Sequence, residues 1–179
     1  MSAGPGRVYL VGFMGAGKTT VGRLLAGRLG VPFVDLDEAF EAMAGQTIRE
    51  TFETRGEAFF RAREAELLRG TAALSDAVIA VGGGTFTFPE NRDFIERHGV
   101  SLFLDLPFEA IAARLQGKSA DRPLFRSLAE ARQLWESRLP CYRMASRTVG
   151  VRGDENAVAV VERVEEALWG FPPPGVAGS

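Results

Sequence analysis

The sequence predicts an α/β fold in which a five-stranded parallel sheet is flanked by helices on both faces. Short apolar runs alternate along the chain with longer segments of helical periodicity. Strands separated by helices pair in parallel, because each helix carries the chain back to the edge where the strands begin. The length of 179 residues fits one domain. We expect that domain to span residues 1–170, followed by a disordered Pro- and Gly-containing tail at 171–179.

The first half of the chain contains three predicted strands and the helices that join them. Short, mainly apolar runs predict the strands Val8–Val11, Pro32–Asp35 and Ala77–Val81. Helical periodicity predicts helices over Gly17–Leu29, Glu38–Met43 and Thr47–Leu74, the last divided into two near Gly56. In the first helix, Val21, Leu25 and Leu29 fall on one face, and Gly30 ends it.

The second half continues the same alternation and adds two strands. They are predicted at the mainly apolar run Ser101–Leu106 and at Arg147–Val151. The predicted helices are Pro89–His98, Pro107–Leu115, Ser127 to about Ala145, and Asn156–Trp169. Ser127 and Glu130 have the spacing of a capping box, which marks the start of the third of these helices. Residues 116–126 are polar and lack periodicity, so they predict a loop.

Composition excludes several classes of protein. The formal net charge of −2 argues against a protein that binds nucleic acid through a broad basic surface. The single cysteine, Cys141, excludes an intramolecular disulfide framework, and the single histidine, His98, argues against catalytic triads and di-histidine metal sites. No apolar run approaches the roughly 20 residues that a membrane-spanning helix needs. We expect a cytoplasmic protein without nucleic-acid or membrane partners.

A glycine-rich loop between the first strand and the first helix indicates a phosphate-binding site. Residues Gly12–Thr19 fit the pattern G-x-x-x-x-G-K-[ST]. Glycines allow backbone N–H groups to approach phosphate oxygens, and the following helix N-terminus adds partial positive charge. We expect Lys18 to reach the β- and γ-phosphates of a nucleoside triphosphate, and the Thr19 hydroxyl to bind Mg²⁺. The alternative, a chance glycine-rich turn, does not account for the strand and helix on either side.

Two acidic residues follow the second predicted strand, and ligands of open parallel sheets bind at that end of the strands. If the extended conformation persists, Asp35 and Asp37 point to one side, where one can serve Mg²⁺ and the other an acceptor hydroxyl. The alternative is a solvated loop pair or a helix N-cap. Asp105 also ends a strand, as the acidic residue of a mechanical ATPase would, but we favour a turn-forming role for it. A GTP-dependent switch is not predicted, since the chain lacks an Asn-Lys-x-Asp sequence.

Arginines and a second group of glycines extend the candidate site. Arg61 and Glu64 are three residues apart in a predicted helix and can form an ion pair, either functional or simply on the surface. Gly82–Gly84 follow the third strand, where they allow a ligand to approach the backbone closely or the chain to reverse. Arg122 lies in the predicted loop, and Arg138 in the helix after it. Several arginines near a phosphate loop suggest anionic ligands or stabilisation of a transferring phosphoryl group.

In combination, these motifs closely resemble the shikimate kinase family, a group of small P-loop proteins similar to the nucleoside monophosphate kinases. The resemblance covers roughly residues 7–168. It rests on six segments in family order: Gly12–Thr20, Asp35–Asp37, Phe60–Glu64, Gly82–Gly84, Asp121–Leu124 and Arg138–Tyr142. The resemblance implies a P-loop kinase fold with a mobile lid at about 116–126. It also implies transfer of a phosphoryl group from ATP to the 3-hydroxyl of shikimate, a step of aromatic biosynthesis.

The resemblance further implies a role for each residue of the site. The catalytic residues would be Lys18, Asp37 and Arg122. ATP would be bound by the phosphate loop and two arginines: Gly15, Ala16, Gly17, Lys18, Thr19, Thr20, Arg114 and Arg122. Shikimate would be bound by Asp37, Arg61, Gly83 and Arg138, with both arginines on its carboxylate and Glu64 orienting Arg61. Mg²⁺, the implied cofactor, would be held by Thr19 and, through water, by Asp35.

Two other functions are compatible with these residues. A related kinase of another hydroxylated acid, such as gluconate, would share the phosphate-binding residues, although the two arginines with Asp37 favour shikimate. A non-catalytic nucleotide-binding module is the second alternative. Lys18, Asp37 and Arg122 argue against it, because a module that only binds needs no set of phosphoryl-transfer residues. We therefore expect ATP and shikimate as the small-molecule partners of a monomeric protein.

Two segments differ from the family pattern. Thr85–Phe88, directly after the glycines, is more aromatic than the resemblance leads us to expect. Asp154–Asn156 stands where an arginine near the adenine is frequent in the family. The resemblance therefore predicts no adenine contact from an arginine at this position.

Overall fold

The structure is a computed structural model that describes residues 5–116 and 126–170. Within this part of the chain, the strands are β1 Arg7–Val11, β2 Phe33–Asp35, β3 Ala77–Ala80, β4 Val100–Asp105 and β5 Arg147–Gly150. They form a sheet in the order β2-β3-β1-β4-β5, and every neighbouring pair is parallel. The prediction of a five-stranded parallel sheet is confirmed. The predicted tail and nearly all of the predicted lid lie outside the described residues.

Helices connect and cover the strands, as the alternating pattern predicts. In the described segments they are α1 Lys18–Leu29, α2 Leu36–Ala44, α3 Ile48–Arg55, α4 Glu57–Gly70, α5 Pro89–His98, α6 Phe108–Gln116, α7 Leu128–Tyr142 and α8 Ala157–Trp169. The division near Gly56 is confirmed, because α3 ends and α4 begins there. Each helix in residues 5–116 and 126–170 is too short or too polar to cross a membrane.

Local sequence signals account for where the helices begin and end. Gly30 adopts φ 66°, a left-handed conformation that favours glycine, and ends α1. Thr47 and Glu50 form a reciprocal capping box at the start of α3. The Ser127 hydroxyl accepts a hydrogen bond from the Glu130 N–H at 3.2 Å and begins α7 as predicted, although this helix ends at Tyr142 rather than near Ala145.

The extended conformation does not persist through Asp37. The Asp35 carboxylate accepts hydrogen bonds from the backbone N–H groups of Asp37 at 2.9 Å and Glu38 at 3.2 Å. Asp35 is therefore the N-cap of α2, which begins at Leu36, two residues before the predicted start at Glu38. The N-cap alternative applies because a short acidic side chain satisfies helix N–H groups that otherwise lack partners.

The strand order brings three loops together at one edge of the sheet. β3 lies between β2 and β1, so the segments that follow these three strands are neighbours. Those segments are the start of α2 with Asp35 and Asp37, the glycines Gly82–Gly84, and the phosphate loop Gly12–Thr19. β1 is buried on both faces and gives the phosphate loop a rigid base.

Candidate active site

An open cavity of about 850 Å³ lies at this edge of the sheet. Its wall is formed by the phosphate loop, the start of α2, α3, α4, Gly82–Gly84, and parts of α6, α7 and α8. The structure brings every predicted site residue that it describes into this wall. Arg122 lies outside the described residues, so its predicted role has no structural counterpart here. Asp105 is not among the lining residues within the described chain.

The phosphate loop has the backbone conformation that its glycines allow. Gly15 has φ 80° and Gly17 has φ 96°, both in the left-handed region that other residues rarely adopt. Gly17 directly precedes α1, so the first N–H groups of that helix face the cavity side of the loop. The Lys18 ammonium donates to the carbonyl oxygens of Gly12 at 2.6 Å and Phe13 at 3.1 Å. Backbone donors and a fixed ammonium group together suit the binding of phosphate groups.

Arg114 extends the phosphate loop on the α6 side. Its Nη1 donates to the Gly15 carbonyl oxygen at 2.8 Å. Its guanidinium also approaches Gly17, where a methyl group would lie 3.5 Å from Nη1. Leu115, Val151, Ala157 and Val160 line the cavity beside it. A flat cation next to small apolar side chains is a surface on which an aromatic base can stack.

Thr19 and Asp35 present two oxygens to the same side of the phosphate loop. The Thr19 hydroxyl donates to Asp35 Oδ2 at 2.6 Å, while Asp35 Oδ1 caps α2. The described residues contain no cluster of three or more His, Cys, Asp or Glu side chains that could hold a metal ion. A pair of hard oxygen donors fits Mg²⁺ nevertheless, because Mg²⁺ keeps several water ligands and takes further oxygens from phosphates.

Asp37 lies in the first turn of α2 with its carboxylate in the cavity wall. Burial raises the pKa of Asp37 from 3.8 to about 6. The Lys18 ammonium opposes this rise in pKa, whereas the carboxylates of Asp35 and Glu64 add to it. A carboxylate with a raised pKa is a stronger base than a free aspartate and suits the acceptance of a proton near neutral pH.

The pH dependence of the reaction is expected to follow the ionisation of Asp37. Because only the ionised carboxylate can accept a proton, kcat/KM should be constant above the pKa of about 6 and fall below it. The decrease should approach about tenfold for each pH unit. Initial rates measured from about pH 5 to pH 8 test this, with the residual activity of Asp37→Asn as the control. A profile that stays level to about pH 4, the ordinary range of aspartate, would contradict this role.

Arg61 and Glu64 form the predicted ion pair, but it is not a surface pair. Arg61 Nη1 donates to Glu64 Oε2 at 2.8 Å, and the two side chains are only 14% and 3% exposed. The Arg61 guanidinium also lies 5.0 Å from the Phe60 ring centroid and 5.6 Å from that of Phe88. The surface alternative is therefore wrong: Glu64 is enclosed, and Arg61 keeps one side toward the cavity.

Arg138 is the most unusual charged group of the site. Its side chain belongs to α7 and is 8% exposed. Nη1 is buried and has no hydrogen-bond partner anywhere in residues 5–116 or 126–170. An unpartnered buried N–H group of a guanidinium carries a desolvation penalty of about 1–3 kcal/mol or more. Its position in the cavity wall indicates that an anionic ligand supplies the missing acceptor.

Each glycine of Gly82–Gly84 makes room for a different functional group. A methyl group on Gly82 would lie 2.5 Å from a Glu64 carboxylate oxygen and 3.0 Å from one of Asp37. A methyl group on Gly83 would lie 3.2 Å from Arg138 Nη1, and one on Gly84 would lie 2.5 Å from Arg61 Nη2. These glycines thus allow the protein's own charged side chains to approach the backbone, while the predicted contact of a ligand with Gly83 stays a prediction.

Sequence reasoning missed apolar residues of this wall and a tyrosine that supports it from behind Gly83. Ile48 and Phe52 add apolar surface from α3, and their i, i+4 spacing is the signal that was available. Tyr142 donates its hydroxyl to the Gly83 carbonyl oxygen at 2.5 Å. Burial raises the pKa of Tyr142 to about 12, so the hydroxyl keeps its proton and remains a donor. Apart from its place in the segment Arg138–Tyr142, no sequence signal distinguishes this tyrosine from an ordinary core residue.

Comparison with known proteins identifies the family. The family model described as "Shikimate kinase" matches residues 14–169. A shikimate kinase of Ruegeria pomeroyi is 43% identical over 164 residues, which are 90% of this chain and 84% of that protein. The chain belongs to the shikimate kinase family. The resemblance in the motifs and the P-loop kinase fold that it implies are thereby confirmed.

Solved structures agree with this membership. The shikimate kinase from Acinetobacter baumannii in complex with shikimate superimposes with a TM-score of 0.84 at 36% identity, covering 90% of this chain and 91% of that one. A gluconokinase from Sinorhizobium meliloti superimposes with a TM-score of 0.57 at 19% identity, covering 93% of each chain. The second similarity concerns the fold alone. As a member of its family, this protein is an ATP-dependent kinase.

Proposed function

We propose that this member of the shikimate kinase family transfers the γ-phosphoryl group of ATP to the 3-hydroxyl of shikimate, giving shikimate 3-phosphate and ADP. The observation that carries the proposal is the buried, unpartnered Nη1 of Arg138 in the cavity wall. Arg138 and Arg61 approach consecutive glycines, Gly83 and Gly84, and so belong to one patch. A small hydroxylated acid fits there, because its carboxylate can accept from guanidinium groups while a hydroxyl meets Asp37.

ATP binds at the phosphate loop in this proposal. The N–H groups of Gly15–Thr20 and the Lys18 ammonium bind its β- and γ-phosphates. The adenine ring stacks on Arg114, beside the small apolar side chains that line that part of the cavity. The Gly15 carbonyl oxygen holds the Arg114 guanidinium close to the loop, which orients it for this contact.

Mg²⁺ is the cofactor that the site fits. Thr19 would hold the ion through its hydroxyl, and Asp35 through water. Bound Mg²⁺ neutralises charge on the β- and γ-phosphate oxygens. Asp35 keeps its position without the ion, since it caps α2 with its other oxygen.

Asp37 and the arginines carry out the chemical step. Asp37 accepts the hydrogen bond of the attacking hydroxyl and takes its proton as the oxygen–phosphorus bond forms. Arg61 and Arg138 hold the acceptor by its carboxylate, so that this hydroxyl points at the γ-phosphoryl group. Lys18 stabilises charge on the transferring group. On the resemblance alone, Arg122 is assigned to the same charge stabilisation.

The acceptor can be identified by measuring ADP release. We expect release only when ATP, Mg²⁺ and shikimate are all present, because the hydroxyl that attacks must be positioned by the acceptor carboxylate. Gluconate and nucleoside monophosphates are tested in place of shikimate, and a reaction without an acceptor is the blank. Release that is equally fast with gluconate, or independent of an acceptor, would contradict the proposed function.

A further inference from the structure

We infer that Thr85 is a positioning residue for Arg61: it acts through Glu64 and so determines how tightly the site holds the acceptor carboxylate. Thr85 begins the short segment Thr85–Phe88, which contains two phenylalanines and follows the glycines Gly82–Gly84. The inference rests on the proposed function, because that function places Arg61 at the acceptor.

A chain of two hydrogen bonds connects Thr85 to Arg61. The Thr85 side chain is fully buried, and its hydroxyl donates to Glu64 Oε1 at 2.6 Å. The other oxygen of that carboxylate, Oε2, accepts from Arg61 Nη1 at 2.8 Å. The two donors hold opposite oxygens of one carboxylate and so define its plane. A defined carboxylate plane in turn defines the direction of the guanidinium that bonds to it.

Glu64 needs the Thr85 hydroxyl because it is enclosed beside another acid. Its side chain is 3% exposed, so water does not readily replace a lost donor. Around Gly82, Glu64 Oε1, Thr85 Oγ1 and Asp37 Oδ1 all lie within 3.0 Å of the point where a methyl group would stand. The Thr85 hydroxyl therefore donates to Glu64 at the place where the two acidic side chains approach each other. Without it, Glu64 is free to turn away from Asp37, and Arg61 Nη1 loses its fixed acceptor. The remaining ion pair of Arg61, from Nε to the exposed Glu57 Oε1 at 3.3 Å, restrains the guanidinium less.

The backbone keeps the Thr85 hydroxyl in place. The Thr85 N–H donates to the Gly82 carbonyl oxygen at 3.1 Å. The Thr85 carbonyl oxygen accepts from Asn91 Nδ2 at 3.1 Å, and Asn91 Oδ1 accepts from Arg69 Nη1 at 3.3 Å. Thr85 is thus linked to α5 through Asn91, and to α4 through Arg69. A donor fixed in this way can restrain Glu64, whereas a mobile one would follow it.

Phe88 restrains the same guanidinium from another side. Its ring centroid lies 5.6 Å from Arg61 Cζ, within the range of a cation–π contact. The phenylalanine is partly exposed, so it supports Arg61 at the solvent side of the site. The two ends of Thr85–Phe88 therefore restrain Arg61 in different ways: Thr85 through Glu64, and Phe88 through a direct ring contact.

Replacement of Thr85 by valine tests the inference, since valine keeps the shape and removes the hydroxyl. In Thr85→Val we expect the KM for shikimate to rise about five- to tenfold. The KM for ATP and kcat should stay close to their wild-type values. Thr85→Ser, which keeps the hydroxyl, should recover most of the affinity. A purely structural defect would instead reduce the active fraction, and with it the apparent kcat, without a selective change in one KM.

Thr71→Val is the matched control. Thr71 is also buried, and its hydroxyl donates to the Leu68 carbonyl oxygen at 2.6 Å and contacts the Tyr9 hydroxyl at 2.9 Å. We expect its loss to lower the Tm and leave both KM values unchanged. An unchanged KM for shikimate in Thr85→Val, an equal rise for both substrates, or an equal rise in Thr71→Val would overturn the inference. If Thr85→Val fails to fold, Thr85→Ala takes its place in the same comparison.

A measurement without substrate separates this inference from the proposed function. The hydrogen exchange of the Arg61 Nη–H groups, of which Nη1 bonds to Glu64 Oε2, can be followed by ¹⁵N NMR, with the signals assigned through Arg61→Lys. The Nε–H group bonds to Glu57 Oε1 at 3.3 Å and does not report on Glu64. We expect exchange several-fold faster in Thr85→Val than in the wild type and unchanged in Thr71→Val. Equal exchange in the wild type and Thr85→Val would overturn the inference. Failure of the wild type to phosphorylate shikimate would instead overturn the proposed function and leave this result standing.

Discussion

Asp37→Asn is expected to lower kcat by about 10²–10⁴-fold, the contribution typical of a general base, and to leave ATP binding unchanged. The amide has nearly the shape of the carboxylate, but it cannot take the proton of the attacking hydroxyl. ATP should bind as before, because the residues that bind its phosphates are those of the phosphate loop. The rate is measured by ADP release at saturating substrates, and ATP affinity by calorimetric titration.

Glu38→Gln is the matched control for this variant. Glu38 follows Asp37 in α2 and also lines the cavity, but it is exposed and bonded to Arg23 Nη2 at 2.6 Å. Its neutralisation removes an equal charge from the same helix turn, so kcat should not change. Turnover of Asp37→Asn close to that of Glu38→Gln would mean that Asp37 does not act as the base.

Asp37→Asn is also expected to stabilise the fold at neutral pH. The pKa of Asp37 is raised from 3.8 to about 6 in the folded protein, so ionisation opposes folding. The destabilisation that ionised Asp37 causes is fully present above about pH 6 and disappears below about pH 4. Asp37→Asn should therefore gain up to about 3 kcal/mol in the free energy of unfolding at pH 7 and little at pH 4. Urea denaturation at both pH values measures the difference.

Arg138→Met is expected to weaken shikimate binding by about ten- to a hundredfold, since hydrogen bonds to charged groups contribute about 1.5–3 kcal/mol. Methionine fills the same buried space without the guanidinium. ATP affinity should be unchanged, and Arg138→Lys should recover only part of the loss, because an ammonium group cannot reproduce the planar fork. Calorimetric titration with shikimate gives the dissociation constants.

Arg132→Met provides the comparison for Arg138 within α7. Arg132 is exposed and bonded to Glu109 Oε1 at 2.9 Å, so its loss should not alter the affinity for shikimate. A dissociation constant for shikimate that is the same in Arg138→Met and Arg132→Met would place the acceptor carboxylate elsewhere in the cavity.

Most of the fold follows from local signals in the chain. Apolar runs predict the strands, and residues such as Gly30, Thr47 and Ser127 mark helix ends within a few positions. The predicted start of α2, at Glu38, differs from the observed start at Leu36 because Asp35 can either continue a strand or cap a helix. The choice depends on which N–H groups its carboxylate meets, and spacing alone does not contain that information.

The residues of the site are predictable where a motif carries its own chemistry, as in Gly12–Thr19. The burial and the contacts of these residues cannot be predicted in the same way. The spacing of Arg61 and Glu64 predicts an ion pair, but the enclosure of Glu64 follows from the packing of α4 against α2, α3 and the segment at Thr85. That Arg138 Nη1 has no hydrogen-bond partner likewise emerges only from the described structure as a whole, because it is a property of everything around that atom.

The three glycines at 82–84 also limit how this enzyme can change its acceptor. Each of them faces a different charged group, so a single side chain added there displaces Glu64, Arg138 or Arg61. The part of the wall that α3 forms is more permissive, since Ile48, Arg49 and Phe52 lie within a helix and can be exchanged without a change of backbone conformation. Laboratory evolution toward a bulkier hydroxylated acid should therefore accumulate substitutions along α3 and retain all three glycines.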